Sequence, residues 1–256
     1  MPRPQRVVIT GASSGLGAAL ARCYARQGAT LGLIARRREA LLALAAQLPV
    51  ASEIYALDVR DAAALAAAAR AFIVRHGCPD IVIANAGVSM GTLSEHAPDI
   101  AAFDEVFGVN VLGMVRTFQP FLGCMRDRRS GSLAGIASVA GYRGLPGAAA
   151  YCASKAAVIA YLESLRVELR ESGVGVSTIC PGYIATPMTE SNPYPMPFLL
   201  SADEAAEKIA AIIARGGSFA VIPWQMAIVA RGLRLMPNRL YDLLFANAPR
   251  KPRRSQ

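Results

Sequence analysis

The chain has 256 residues, 54% of them hydrophobic and 18% charged, with a mean hydropathy of +0.34. That is enough chain to bury a sizeable core, and it excludes disorder, collagen and a small disulfide scaffold. The net charge of +9 includes four charges from Arg250, Lys251, Arg253 and Arg254, in a tail without acids, so the body is only moderately basic.

From the N-terminus, Pro4-Gln5-Arg6 runs straight into a strand-like Val7-Val8-Ile9. No secretory leader is expected, and no run reads as long enough to span a bilayer. Cys23, Cys78, Cys124, Cys152 and Cys180 show neither a CxxC pair nor metal-ligand spacing. They read as free thiols of a cytoplasmic protein, and no metal site is expected. Strands are expected near 6–10, 30–35, 53–58, 80–84, 132–137, 174–180 and 218–222, with Ala/Leu/Arg-rich helices between them. Such alternation predicts an α/β fold, a parallel sheet wrapped by helices on both faces, in one domain over 1–256. The Ala-rich stretch 61–76 reads as a helix with Asp61 at its start. Pro187, Pro193, Pro195 and Pro197 make 183–200 an irregular excursion, read as a substrate lid.

After the first strand comes Thr10-Gly11-Ala12-Ser13-Ser14-Gly15-Leu16-Gly17, then helical Ala18-Ala19-Leu20. Glycines let a backbone turn tightly against a pyrophosphate, whose charge sits on the free N–H groups of the helix start. A dinucleotide site preferring NAD usually carries an acid at the end of the second strand to hold the ribose hydroxyl. Here the strand ends in Ala35 and then Arg36-Arg37-Arg38. Arg36 is expected to take the 2′-phosphate of NADP(H) in preference to NAD(H), while Arg37 and Arg38 read as a solvated first helical turn. No aromatic-interleaved basic surface accompanies the run, so nucleic acid is not an expected partner.

Tyr151 and Lys155 stand four residues apart, on one face of a helix expected over 151–172. Ser138 ends the preceding strand, and Asn110 lies in a helical segment after Phe103-Asp104-Glu105-Val106-Phe107. Taken together and in order, these residues resemble the short-chain dehydrogenase/reductase family over nearly the whole chain. The resemblance implies a three-layer, doubly wound Rossmann fold with a seven-stranded parallel sheet. It places cofactor contacts on Gly11, Ser13, Ser14, Gly15, Leu16 and Gly17, on Asp58 and Val59, and on Asn85-Ala86-Gly87. After the sixth strand it adds Pro181, Gly182, Ile184 and Thr186, with Tyr151 and Lys155 also facing the cofactor. The implied catalytic set is Asn110, Ser138, Tyr151 and Lys155. Ser14 departs from the pattern, because many NADP-preferring relatives carry a base there.

The implied reaction is hydride transfer between the nicotinamide and a ketone or secondary alcohol, with Tyr151 as general acid/base. Bringing a tyrosine from about 10 toward 7 takes roughly 4 kcal/mol. A lysine ammonium about 6 Å away at an effective dielectric near 20 supplies roughly 2.8 kcal/mol of it. Ser138 is expected to hold the substrate oxygen, and Asn110 a water linking Lys155 to solvent. The alternative is a nucleotide-binding regulatory protein without turnover.

Expected pocket walls are Val139–Pro146 and the lid from Met188 to Leu200, with Tyr194, Met196, Phe198 and Leu199. These are mostly apolar, Arg143 excepted, which points to a lipophilic substrate. Beyond the last strand, 224–247 reads as a helical extension followed by the basic tail. Packing on the substrate side or against another subunit is the favoured reading, and association with an anionic inner membrane surface is the second. By resemblance, a homodimer or homotetramer is expected through helices over 103–127 and 151–172.

Overall fold

The computed structural model describes residues 4–190, 192, 194–251 and 253. Seven parallel strands, β1 (Arg6–Thr10), β2 (Thr30–Ala35), β3 (Ser52–Ala56), β4 (Ile81–Ala84), β5 (Gly131–Ile136), β6 (Val174–Pro181) and β7 (Phe219–Ile222), form one sheet in the order β3-β2-β1-β4-β5-β6-β7. The chain reverses direction of travel across the sheet between β1 and β4, which opens a crevice at their carboxyl ends.

Side chains of a strand alternate between faces. Val7 and Ile9 pack beneath α1 (Gly15–Arg26), α2 (Arg38–Ala45) and, further along, α8 (Ala202–Ala214). Val8 and Val82 face the opposite layer, made by α3 (Ala62–His76), α5 (Gly113–Arg128) and α6 (Ala149–Glu168). With both faces covered, the central strands are apolar almost without interruption, as a buried parallel sheet requires.

Asp61 caps α3 by accepting from the Ala64 N–H at 2.9 Å, and Ser201 with Glu204 forms a capping box on α8. The segment expected as one helix over 103–127 is instead α4 (Ile100–Phe107), a π-helical turn (Gly108–Leu112) and α5. The excursion over 183–200 is not wholly irregular. Pro187 opens a one-turn helix, α7 (Pro187–Glu190), where its missing N–H costs nothing, and Ile184 bridges to Leu200 at the base.

The reading of all five cysteines as free thiols is corrected, because the chain brings Cys78, just before β4, against Cys124 on α5. They form a disulfide with Cα atoms 5.8 Å apart, leaving Cys23, Cys152 and Cys180 free and buried. Sequence separation hid the pair, since they stand 46 positions apart.

The extension forms α9 (Trp224–Leu235) and α10 (Asn238–Phe245). Arg143 is not available as a pocket cation. Its guanidinium donates to the Leu233 carbonyl at 2.8 Å, the Met236 carbonyl at 2.6 Å and Asn238 Oδ1 at 2.9 Å. It also lies 4.1 Å from the centre of the Tyr241 ring, and the Tyr241 hydroxyl donates to the Gly144 carbonyl. Arg143 thus closes the C-terminal end of α9, where free carbonyls attract a cation. No helix among the described residues is long and apolar enough to cross a membrane.

Candidate active site

The crevice at the ends of β1 and β4 deepens into a cleft of about 330 Å³. One wall is the turn between β1 and α1. Thr10 Oγ1 accepts from the N–H groups of Asn85 at 3.1 Å and Ala86 at 3.2 Å. Asn85 Nδ2 returns bonds to the carbonyls of Thr10 at 3.0 Å and Gly11 at 3.4 Å. The two strand ends are thereby fixed to each other, and Asn85 acts first as a brace for the turn.

Gly11 and Gly15 hold φ of +68° and +53°, the left-handed region that glycine adopts without strain. A Cβ on Gly17 would stand 2.2 Å from the Gly11 carbonyl oxygen, so the turn closes this tightly only with glycine there. Ser14 precedes α1 and makes no side-chain capping bond. The first N–H groups of α1 are thus left to an anion in the cleft.

At one end of the cleft lie Arg36, Arg37, Asp58 and Val59. Arg60 grips the Asp58 carboxylate at 2.7 Å and 3.1 Å. That bond holds the carboxyl below the usual range, and the charge of Arg36 adds to the effect. Arg37 is not merely solvated, because its Nη2 donates to Ser13 Oγ at 3.2 Å and so ties the start of α2 to the glycine turn. Two guanidiniums, those of Arg36 and Arg37, therefore line this end of the cleft, where sequence reading singled out one.

At the other end Tyr151 and Lys155 project from the first turns of α6, and Ser138 from the end of β5. Lys155 Nζ donates to the Ile136 carbonyl at 2.8 Å and sits 5.7 Å from the centre of the Tyr151 ring. Burial lowers Lys155 to about 8. Burial also pushes Tyr151 up to about 12, against the opposing pull of the Ser138 hydroxyl, while Cys152 and the lid residue Tyr194 raise it further. Desolvation thus outweighs the lowering expected from the lysine, and Tyr151 carries its proton at neutral pH. Ser138 also caps the 3₁₀ turn Val139–Gly141 by accepting from the Ala140 N–H at 3.1 Å.

Asn110 is fully buried in the π-helical turn. Its Oδ1 accepts from the Val88 N–H at 2.8 Å. Its Nδ2 donates to the Val88 carbonyl at 3.0 Å and to Ser154 Oγ at 2.9 Å. A side-chain amide offers about four such positions, so only one remains for the expected water. Ser154 in turn donates to the Tyr151 carbonyl at 2.7 Å. Asn110 therefore joins the end of β4 to the helix that carries Tyr151.

Every expected cofactor and catalytic residue lines this cleft except Asn110, which stands behind it. Of the expected pocket walls, none of Val139–Pro146 lines it, and among the described residues of Met188–Leu200 only Met188 and Thr189 do. Sequence reading missed Ser154, Val88, Pro187 and Thr189. Thr189 Oγ1 donates to the Ile184 carbonyl at 2.6 Å and accepts from the Thr186 N–H at 3.1 Å, fixing Thr186 at the rim. The three-residue spacing of Thr186 and Thr189 was the available signal. The donor set fits a nicotinamide dinucleotide along the cleft: guanidiniums, a glycine turn on a helix start, then a hydroxyl, a phenol and an ammonium.

The chain matches the short chain dehydrogenase family over residues 5–195. It is 40% identical over 241 residues to an uncharacterized oxidoreductase of Myxococcus xanthus, covering 92% of this chain and 94% of that one. A solved short-chain dehydrogenase from Streptomyces avermitilis superposes with a TM-score of 0.82 at 27% identity, covering 95% of this chain and 97% of that one. An alcohol dehydrogenase from the archaeon Thermococcus sibiricus, complexed with 5-hydroxy-NADP, gives 0.77 at 28% identity, covering 86% and 96%. With sheet order, glycine turn and family match in agreement, the chain belongs to the short-chain dehydrogenase/reductase family and is an oxidoreductase of the kind that uses a nicotinamide cofactor.

Proposed function

We propose that the protein is an NADP(H)-dependent reductase of lipophilic ketones, interconverting a ketone and its secondary alcohol. The observation that carries this is Tyr151, a half-buried, protonated phenol beside Ser138 and an ammonium at the end of the cleft. When bound, the reduced nicotinamide supplies the hydride. The glycine turn and the start of α1 would hold its pyrophosphate, and Arg36 with Arg37 the 2′-phosphate. No acid at the end of β2 opposes that phosphate, since the strand ends in Ala35.

Ser138 donates a hydrogen bond to the substrate oxygen and orients it. Tyr151 passes its proton to that oxygen as the carbonyl becomes an alcohol. Lys155 stabilises the phenolate left behind and holds the ribose, while Asn110 and Ser154 fix the turn of α6 on which Tyr151 stands. Met188 in the cleft lining and Tyr194, near enough to raise Tyr151, suit an apolar body.

The chain is proposed to work in the cytoplasm as a homodimer or homotetramer, packed through α4, α5 and α6, where Ile100, Leu112 and Val167 stand exposed. It is also proposed to associate peripherally with the inner face of an anionic membrane through α9 and α10. A scattering mass equal to one chain would rule out the oligomer.

The deciding experiment titrates purified protein with NADPH and NADH, then follows NADPH oxidation against lipophilic ketones, with Tyr151→Phe alongside. Tighter NADPH binding is expected, with turnover falling on the order of a hundredfold or more in Tyr151→Phe while cofactor binding holds. Binding without turnover of any ketone would favour a regulatory nucleotide sensor, and a preference for NADH would overturn the role of the two arginines.

A further inference from the structure

The described residues of the C-terminal tail, Arg250, Lys251 and Arg253, lie against the body of the protein. Arg250 packs on Gly147, just before α6, so closely that a Cβ there would meet its side chain at 2.8 Å. Arg253 pairs with Gly91 in the loop after β4 and grips the Asp99 carboxylate at 2.9 Å and 3.0 Å. Between them, Lys251 Nζ donates to Ser89 Oγ and to the Met188 carbonyl, both at 3.2 Å. Met188 lines the cleft, and Ser89 follows Val88, which lines it too. These three residues therefore form a strap tied to the loop after β4, the entry to α6 and the lid.

The cations of this region differ in what they face. Arg253 is neutralised by Asp99. Arg143 is committed to the carbonyls that end α9. Lys251, half-buried, has only neutral acceptors, a hydroxyl and a carbonyl, and no carboxylate of the described residues pairs with it. Burial lowers its pKa, the expected response of an ammonium with no countercharge. A cation partly removed from water is costly until an anion meets it.

We infer that Lys251 is a specificity residue, and that the ketone this enzyme takes carries an anionic group, a carboxylate or a phosphate, which pairs with the Lys251 ammonium at the mouth of the cleft. This deepens the reductase reading and rests on it. The apolar walls then receive the body of the substrate and the strap receives its charged end, so that Ser138 and Tyr151 meet the carbonyl.

The test measures NADPH-dependent reduction of 4-acetylbenzoate and its methyl ester, and of 4-acetylphenyl phosphate and 4-methoxyacetophenone, by wild type, Lys251→Met and Lys251→Glu. The wild type is expected to favour the anionic member of a pair in kcat/KM, on the order of tenfold. Lys251→Met should lose that preference with the neutral ketone unchanged, and Lys251→Glu should reverse it. The pair showing the larger preference tells carboxylate from phosphate. An equal preference in wild type and Lys251→Met overturns the inference and leaves the reductase standing. An equal fall for neutral and anionic ketones makes Lys251 structural only and also overturns it. Turnover of none of the four ketones would overturn both the reductase reading and this inference.

Discussion

Tyr151 and Lys155 share one buried environment that acts on them in opposite directions, raising the phenol to about 12 and lowering the ammonium to about 8. Desolvation penalises whichever form is charged, so the phenol keeps its proton and the lysine releases its own more readily. The first consequence is a pH profile. Below about 8 Lys155 is an ammonium and can stabilise the phenolate left after proton donation; above it the charge is lost as pH rises. Ketone reduction at saturating NADPH should therefore be level on the acid side of this value and decline on the alkaline side. A profile that rises through pH 8 to 9 would contradict the assignment. At this scale the chemistry-bearing residues were legible because their types and spacing are demanding. The bonds of Asn110 and the reach of Arg37 were not, because an amide or guanidinium in sequence does not say which carbonyl or hydroxyl lies beside it.

Elements carry information of a different kind. The glycine turn works as a single piece: Gly17 lies against the Gly11 carbonyl and Asn85, with a substituted Cβ at 2.2 Å and 2.6 Å from them. Gly17→Ala should thus lower stability by roughly 1–3 kcal/mol through overpacking, and weaken cofactor binding as the turn opens. Gly232, inside α9, has nothing within 4 Å of a substituted Cβ. Gly232→Ala should stabilise by about 0.5–1 kcal/mol, because alanine loses less backbone freedom in a helix. Urea denaturation of both variants checks the pair, and equal effects would mean that packing does not decide the sign. Alternating apolar strands and Ala-rich helices made the sheet and its flanking layers readable in advance. The π-helical turn at Gly108–Leu112 was not readable, since Val109, Val111 and Leu112 suit an α-helix equally well and only tertiary contact through Asn110 selects the wider turn. The strap escaped for a related reason: a basic tail resembles a solvated one until the partners Ser89, Met188 and Asp99 are brought beneath it by distant parts of the chain.

For the molecule as a whole, the distribution of exposed apolar surface matters more than its amount. Trp224, Ile228 and Leu235 on α9 are 67%, 62% and 82% exposed, and Leu243 and Leu244 on α10 are 78% and 58% exposed. Met226, Ala230 and Tyr241 already supply the inward contacts of these helices. Arg231, Arg234 and Arg239 stand among the outward residues, and Asp242 is the only acid from Trp224 to Phe245. Apolar side chains rimmed by arginines suit an anionic bilayer better than a second copy of the same face, where arginines would meet arginines across a twofold axis. Each arginine near such a surface contributes about 1 kcal/mol, an attraction that salt screens. The protein should therefore sediment with phosphatidylglycerol-containing vesicles and not with phosphatidylcholine alone, and added salt should release it. Replacing Leu235 and Leu243 by Glu should abolish sedimentation while leaving NADPH-dependent turnover intact, since both side chains point away from the core. Equal recovery of wild type and variant with the vesicles, or a change in solution mass on making the variant, would assign this face to another partner.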